Sequence, residues 1–107
     1  MPLIDIKYDD KQVGDSEIKI LSTVVQEIVS QATRIEDVFV YADSAKISVK
    51  VAPIEIFIKM SADKITDQSI LLTEIKSKLS DFKSKNNFSH PINLTLIPMQ
   101  WKIEIGI

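Results

Sequence analysis

The chain has 107 residues, of which 45% are hydrophobic and 26% charged, with a net charge of −2. That size and mixture fit one globular domain, residues 1–107, with a modest core, and the acidic balance gives no electrostatic footing for nucleic acid. There is no cysteine, one histidine and only two glycines, which excludes disulfides, thiolate metal sites, cysteine nucleophiles and glycine-rich phosphate loops. No metal or other cofactor is expected. No apolar run approaches the roughly 18 residues of a membrane helix. No basic stretch followed by an apolar one opens the chain, so no signal peptide is read and a cytoplasmic location is expected.

Residues 2–8, PLIDIKY, are rich enough in β-branched side chains to predict a short strand. Asp9 to Asp15 is polar, contains Gly14 and reads as a loop. Asp15 or Ser16 can then cap a helix. Ile18, Leu21, Val25 and Ile28 follow at helical spacing, widened by Val24 and Val29 into one apolar face. Asp37 to Ala42, DVFVYA, predicts a strand buried on both faces. After a turn at Asp43-Ser44, Ile47, Val49 and Val51 alternate with Lys46, Ser48 and Lys50, predicting a strand with one wet face.

Ala52-Pro53 interrupts, because proline lacks the ladder N–H. Ile54, Ile56, Ile58 and Met60 then alternate with Glu55, Phe57 and Lys59, the clearest period-2 run in the chain. Thr66 is the expected cap of a second helix, with Asp67 in its first turn and Ile65 and Ile70 placed as a hydrophobic staple. Leu71, Leu72, Ile75, Leu79 and Phe82 form the apolar stripe, and Lys83, Lys85 and Asn86-Asn87 suit its end. Ile92 to Ile97 predicts a strand that Pro98 breaks, and Trp101, Ile103, Ile105 and Ile107 alternate in a final short one.

The order is β-α-β followed by β-α-β-β, with halves of about 1–51 and 52–107. Each half opens on a proline-led strand, at Pro2-Leu3-Ile4 and Pro53-Ile54-Glu55-Ile56. This is an α+β chain: parallel strands within each half, a four-stranded mixed sheet, both helices on one face, and short extra strands. The other face is expected to be rich in Val and Ile and to need cover from partner subunits arranged in a closed ring.

With Met1-Pro2 leading straight into a strand, Gln31-Ala32-Thr33-Arg34 closing the first helix before DVFVY, and the ending LTLIPMQW, the chain resembles the tautomerase superfamily. That superfamily includes 4-oxalocrotonate tautomerase and macrophage migration inhibitory factor; short, uncharacterised members resemble the chain more closely. The likeness spans nearly the whole chain at the level of architecture. It implies a homotrimer and, once Met1 is trimmed, a terminal proline amine acting as general base on a small carbonyl compound or 2-oxo acid. It also implies keto–enol tautomerisation, isomerisation, or a related decarboxylation or dehalogenation. Lys11 and Gln12 stand where 4-oxalocrotonate tautomerase has a first-loop cation, and Phe39 where its second-strand arginine is expected, so a dicarboxylate substrate is not implied.

An ordinary α-amino group titrates at about 7.7–8.0. An apolar pocket and a nearby cation both disfavour its protonated form, which brings Pro2 toward the operating pH. The resemblance points to Arg34 as the group that stabilises the enolate, near where migration inhibitory factor carries an active-site lysine. Lys50 is the second cation, and Trp101 and Tyr41 are candidate pocket-lining residues. Each has a plainer reading: Pro2 as the residue before a strand, Arg34 as a helix-end cation, Lys50 on a solvated strand face, Trp101 as a packing or interface anchor, and Tyr41 as core. His90, beside Pro91, and the lysines from Lys76 to Lys85 read as surface. Two other functions fit the same pattern: a non-catalytic oligomeric binding or structural protein of the same fold, and a ferredoxin-like partner-binding module.

Overall fold

The alternation in residues 3–8 and 54–61 becomes the centre of a sheet in the computed structural model, which describes Met1–Ile107. The elements are β1 (Leu3–Tyr8), α1 (Asp15–Thr33), β2 (Phe39–Asp43), β3 (Ile54–Ser61), α2 (Gln68–Lys85) and β4 (Asn93–Met99). The strand order is β2-β1-β3-β4. β1 runs parallel to β2 and β3 parallel to β4, while the central β1–β3 pair is antiparallel. These are the two β-α-β units read from the sequence, joined into one mixed sheet.

Register decides what each face carries. Ile4 and Ile6 of β1 and Ile54, Ile56, Ile58 and Met60 of β3 are fully buried. All but Met60 cluster with Leu21, Val25 and Ile28 of α1 and Ile75 and Leu79 of α2. Both helices therefore cover the same sheet face, and the two halves share a core.

The opposite face departs from expectation. It carries Leu3, Phe39, Phe57, Ile97 and Met99 among Asp5, Lys7, Tyr41, Asp43, Glu55 and Lys59, a mixture of aromatic, apolar and charged groups rather than Val and Ile. Lys59 Nζ lies 2.9 Å from Asp5 Oδ2, and Lys7 Nζ is paired with Asp43.

β2 is an edge strand and exposed along most of its length, so it is not buried on both faces. Its apolar composition reflects an edge that nothing within the chain covers. Tyr41, read as core, is 61% exposed. The alternating residues 47–51 form an exposed loop outside the sheet, with Val49 fully in solvent. Residues 101–107 likewise pair with no strand. Pro98 lies inside β4 rather than ending it; β4 is the other edge, where a missing N–H leaves no ladder bond unmade.

The caps shift slightly. α1 is entered from Gly14, whose N–H donates to Glu17 Oε1 at 3.2 Å. The cap of α2 is Asp67, which accepts from the Ile70 N–H at 3.0 Å, not Thr66. With Asp67 there, the residues placed for a staple become Thr66 and Leu71, so the Ile65–Ile70 pairing falls away. At the far end Asn87 adopts a left-handed conformation at φ 52°. The Phe88 N–H then reaches back to the Lys83 carbonyl at 3.0 Å, and Phe88 packs on Phe82. That is a Schellman ending with its hydrophobic contact.

Candidate functional site

Chain direction sorts the candidate residues between the two ends of the sheet. β1 begins, β2 begins, β3 ends and β4 ends at one end, which we call the amino end. Met1, Pro2, Arg34, Ser61 and Trp101 all lie at or next to it. The loops 9–14 and 44–53 lie at the other end, and Lys50 lies with them. Within one chain the structure thus groups Pro2, Arg34 and Trp101 and leaves Lys50 apart. Tyr41 stands between, in the middle of β2 opposite Asp5.

Pro2 continues the alternation of β1. Its side chain is buried on the helix side with Ile4 and Ile6, and its carbonyl accepts the Phe39 N–H at 3.2 Å. Proline suits this position because the first strand residue need not donate. Met1 is half-buried in front of it.

Arg34 caps α1 with φ 58°. A left-handed arginine is strained, since its Cβ crowds the backbone. Neighbouring hydroxyls over-determine the bend: Ser30 donates to the Ile35 carbonyl at 2.8 Å, and the Ile35 N–H donates to Thr33 Oγ1 at 3.3 Å. The guanidinium is exposed and forms no ion pair.

Trp101 is half-buried, and its indole N–H donates to the Ser61 hydroxyl at 2.8 Å. Sequence reasoning passed over Ser61. Two signals pointed to it: it is the first residue after the buried run Ile54–Met60, on the opposite face, and a packed tryptophan needs an acceptor for its N–H.

At the far end, a cleft of about 700 Å³ is lined by residues that include Tyr8, Asp10, Lys11, Ser44 and Lys46. The first loop is braced by Asp9, which accepts from the Gln12 side chain at 2.7 Å and the Lys11 backbone at 3.1 Å. Those two bonds hold the Asp9 carboxyl below its ordinary range, the Gln12 bond foremost. The Tyr8 hydroxyl donates to Asp15 at 2.8 Å, which raises the phenol above its usual value. His90, half-buried rather than free on the surface, pairs with Glu17. No three His, Cys, Asp or Glu side chains come together as metal ligands, and no helix is long and apolar enough to cross a membrane.

Neither a protein-family profile nor a curated protein matches the sequence. Solved structures do match in shape. A fused 4-OT (4-oxalocrotonate tautomerase), an asymmetric trimer, superposes with a TM-score of 0.66 at 10% identity, covering 94% of this chain and 91% of that one. A 5-carboxymethyl-2-hydroxymuconate delta-isomerase gives 0.66 at 10% identity, over 99% of this chain and 89% of that one. A macrophage migration inhibitory factor-like protein from Entamoeba histolytica gives 0.55 at 17% identity, over 96% and 93%. The chain has the tautomerase fold. Pro2 sits at the amino end of β1, an inner strand of that fold.

Proposed function

We propose that this tautomerase-fold chain is a keto–enol tautomerase or isomerase, with Pro2 as its general base after Met1 is removed. The observation that carries the reading is the position of Pro2. It opens an inner strand with its ring buried, at the sheet end that also holds Arg34 and the Trp101–Ser61 corner. Apolar surroundings disfavour the ammonium form, so the free amine is available near neutral pH.

The substrate class is a small carbonyl compound or 2-oxo acid. The Pro2 nitrogen takes a proton from the carbon next to the carbonyl, and the C–H electron pair moves into a new carbon–carbon double bond. The carbonyl π electrons go to oxygen, giving an enolate that Arg34 stabilises. In tautomerisation the proton passes to the enolate oxygen, giving the enol, and the reverse path gives the ketone. Where a further double bond is conjugated with the enolate, it passes instead to the far carbon, giving the isomer. Positioned proton transfer contributes about 10²–10⁴-fold, and one well-placed enolate-stabilising donor about 10²–10³-fold. Nothing in this chemistry calls for a cofactor.

The assembly is a homotrimer, as in the fused 4-OT neighbour, and it acts in the cytoplasm. Exposed Tyr41, Lys50 and the 47–51 loop support an assembly in which one chain completes its neighbour's pocket. Intact mass establishes whether Met1 is gone. Ketonisation of phenylenolpyruvate by wild type and Pro2→Ala then tests the base; a retained Met1, or equal rates for the two proteins, overturns the reading. The second reading, a non-catalytic oligomeric binding protein, is favoured by one observation: none of the main clefts of the chain is lined by Pro2.

A further inference from the structure

α2 and the edge strand β4 leave a small cavity between them on the helix side of the sheet. It measures about 140 Å³ and is lined by Lys76, Leu79, Ser80, Lys83, Ile92 and Leu94. Its apolar wall belongs to the core: Leu79 is buried, and Ile92 and Leu94 pack half-buried against the same cluster. A cavity of roughly 150 Å³ with apolar walls is large enough to take benzene. The space between α2 and β4 therefore fits a body of about six carbon atoms.

The rim of this cavity is cationic. Lys76, Ser80 and Lys83 are spaced so that they follow one another along one face of α2, with about 5–6 Å between successive Cβ atoms. Neither lysine belongs to an ion pair. No carboxylate lines the cavity, and Glu74, on the preceding turn, is paired with Lys78 at 3.6 Å. Both ammonium groups can thus converge on a single anion held at the Ser80 hydroxyl between them. Backbone N–H groups in the middle of a helix are spent on its own ladder, so the rim offers side-chain donors only. That suits the two oxygens of a carboxylate better than a phosphate, which draws on free backbone N–H groups.

We propose that this cavity binds a small monocarboxylate with an apolar body of about six carbons. The carboxylate sits on Lys76, Ser80 and Lys83, and the body lies against Leu79, Ile92 and Leu94. The site is separate from the Pro2 end of the sheet and is independent of the chemistry proposed there.

The test is methyl NMR of the full chain, labelled at isoleucine and leucine and titrated with hexanoate. Saturable shifts are expected at Leu79, Ile92 and Leu94. Acetate, which lacks the body, and hexan-1-ol, which lacks the charge, bind more weakly. Lys76→Gln and Lys83→Gln each weaken hexanoate binding by about 2–5-fold, as loss of an exposed charge pair does, and leave hexan-1-ol binding unchanged. Methyl spectra of the variants without ligand verify that the fold is kept. Absence of saturable shifts at the three residues overturns the proposal. So does equal hexanoate affinity in wild type and the double variant Lys76→Gln, Lys83→Gln, or equal affinity for hexanoate and hexan-1-ol. Shifts confined to Leu3 and Ile97 place the acid at the amino end of the sheet and overturn it as well.

Discussion

The imidazole Nε2 of His90 lies 2.8 Å from Glu17 Oε2, which ties the loop before β4 to the first turn of α1 across 73 residues of sequence. Glu17's other oxygen accepts the Gly14 N–H at the entry to the same helix. One carboxylate thus closes the start of α1 and links the two halves. Phe88 packs edge-on against His90 and closes the other side of the ring.

Glu17 is held below the ordinary carboxylate value of 4.5 by the Gly14 N–H first and His90 second. A carboxyl whose folded value is depressed contributes stability that is present above its unfolded value and disappears as pH falls through the folded one. Glu17→Gln therefore melts below wild type at neutral pH. The gap closes in the acid range, where wild-type Glu17 is itself protonated. Thermal melts of both proteins across pH check this, and a gap of constant size through the acid range contradicts it.

Arg34 occupies a left-handed position that glycine fills without strain. Arg34→Gly is expected to raise stability by about 0.5–1 kcal/mol, measured by urea denaturation, while Arg34→Ala keeps the strain and does not. Both variants remove the guanidinium, and if it stabilises the enolate both lose about 10²-fold in kcat/KM. A more stable protein with unchanged turnover would confine Arg34 to its helix end.

Ile56 is fully buried at the centre of the shared core, whereas Ile70 is 67% exposed on α2. Ile56→Ala is expected to cost about 2–5 kcal/mol, through lost transfer energy and the cavity left behind. Ile70→Ala should stay within about 0.5 kcal/mol of wild type. Chemical denaturation of the two variants separates the cases, and equal costs would contradict the face assignment.

Val49 and Ile105 lie in the two alternating segments that pair with nothing in the chain, at 102% and 75% exposure. If the chain forms the proposed homotrimer, these stretches are expected to meet neighbouring chains. The double variant Val49→Lys, Ile105→Lys is then expected to sediment as a monomer with its fold intact by circular dichroism, while wild type sediments as three chains. Identical sedimentation of the two proteins would remove these segments from the interface.

The sheet and helices were legible because their residues alternate or repeat against a core made within the chain. Ile54 to Met60 read correctly as a strand with one buried face, and Leu21, Val25 and Ile28 as an inward helix face. The pattern at Ile47, Val49 and Val51 has the same period, yet nothing in the chain covers it; a period states which residues share a face and not whether that face finds a partner. DVFVYA misled for the same reason, since an uncovered edge and a doubly buried strand are both apolar. Of the candidate site, Pro2 and Trp101 stood out by type. Ser61 did not, because its bond to Trp101 joins segments 40 residues apart, which separate stretches of sequence do not display.

The central antiparallel pair gives the chain an internal twofold relationship. Pro2 precedes β1 and its carbonyl accepts from Phe39; Pro53 precedes β3 at the opposite end of the sheet, and its carbonyl accepts from Asp9 at 3.0 Å. The molecule therefore has two proline-led corners that differ in detail, Pro2 being buried on the helix side and Pro53 half-buried on the other, and trimming one residue would free the nitrogen at Pro2 alone. A circular permutant opened between Ala52 and Pro53, its original ends joined, exchanges the two: Pro53 becomes the terminus and Pro2 an internal residue. Which half could present a terminal proline nitrogen is thus set by where the polypeptide is cut and not by the sheet beneath it.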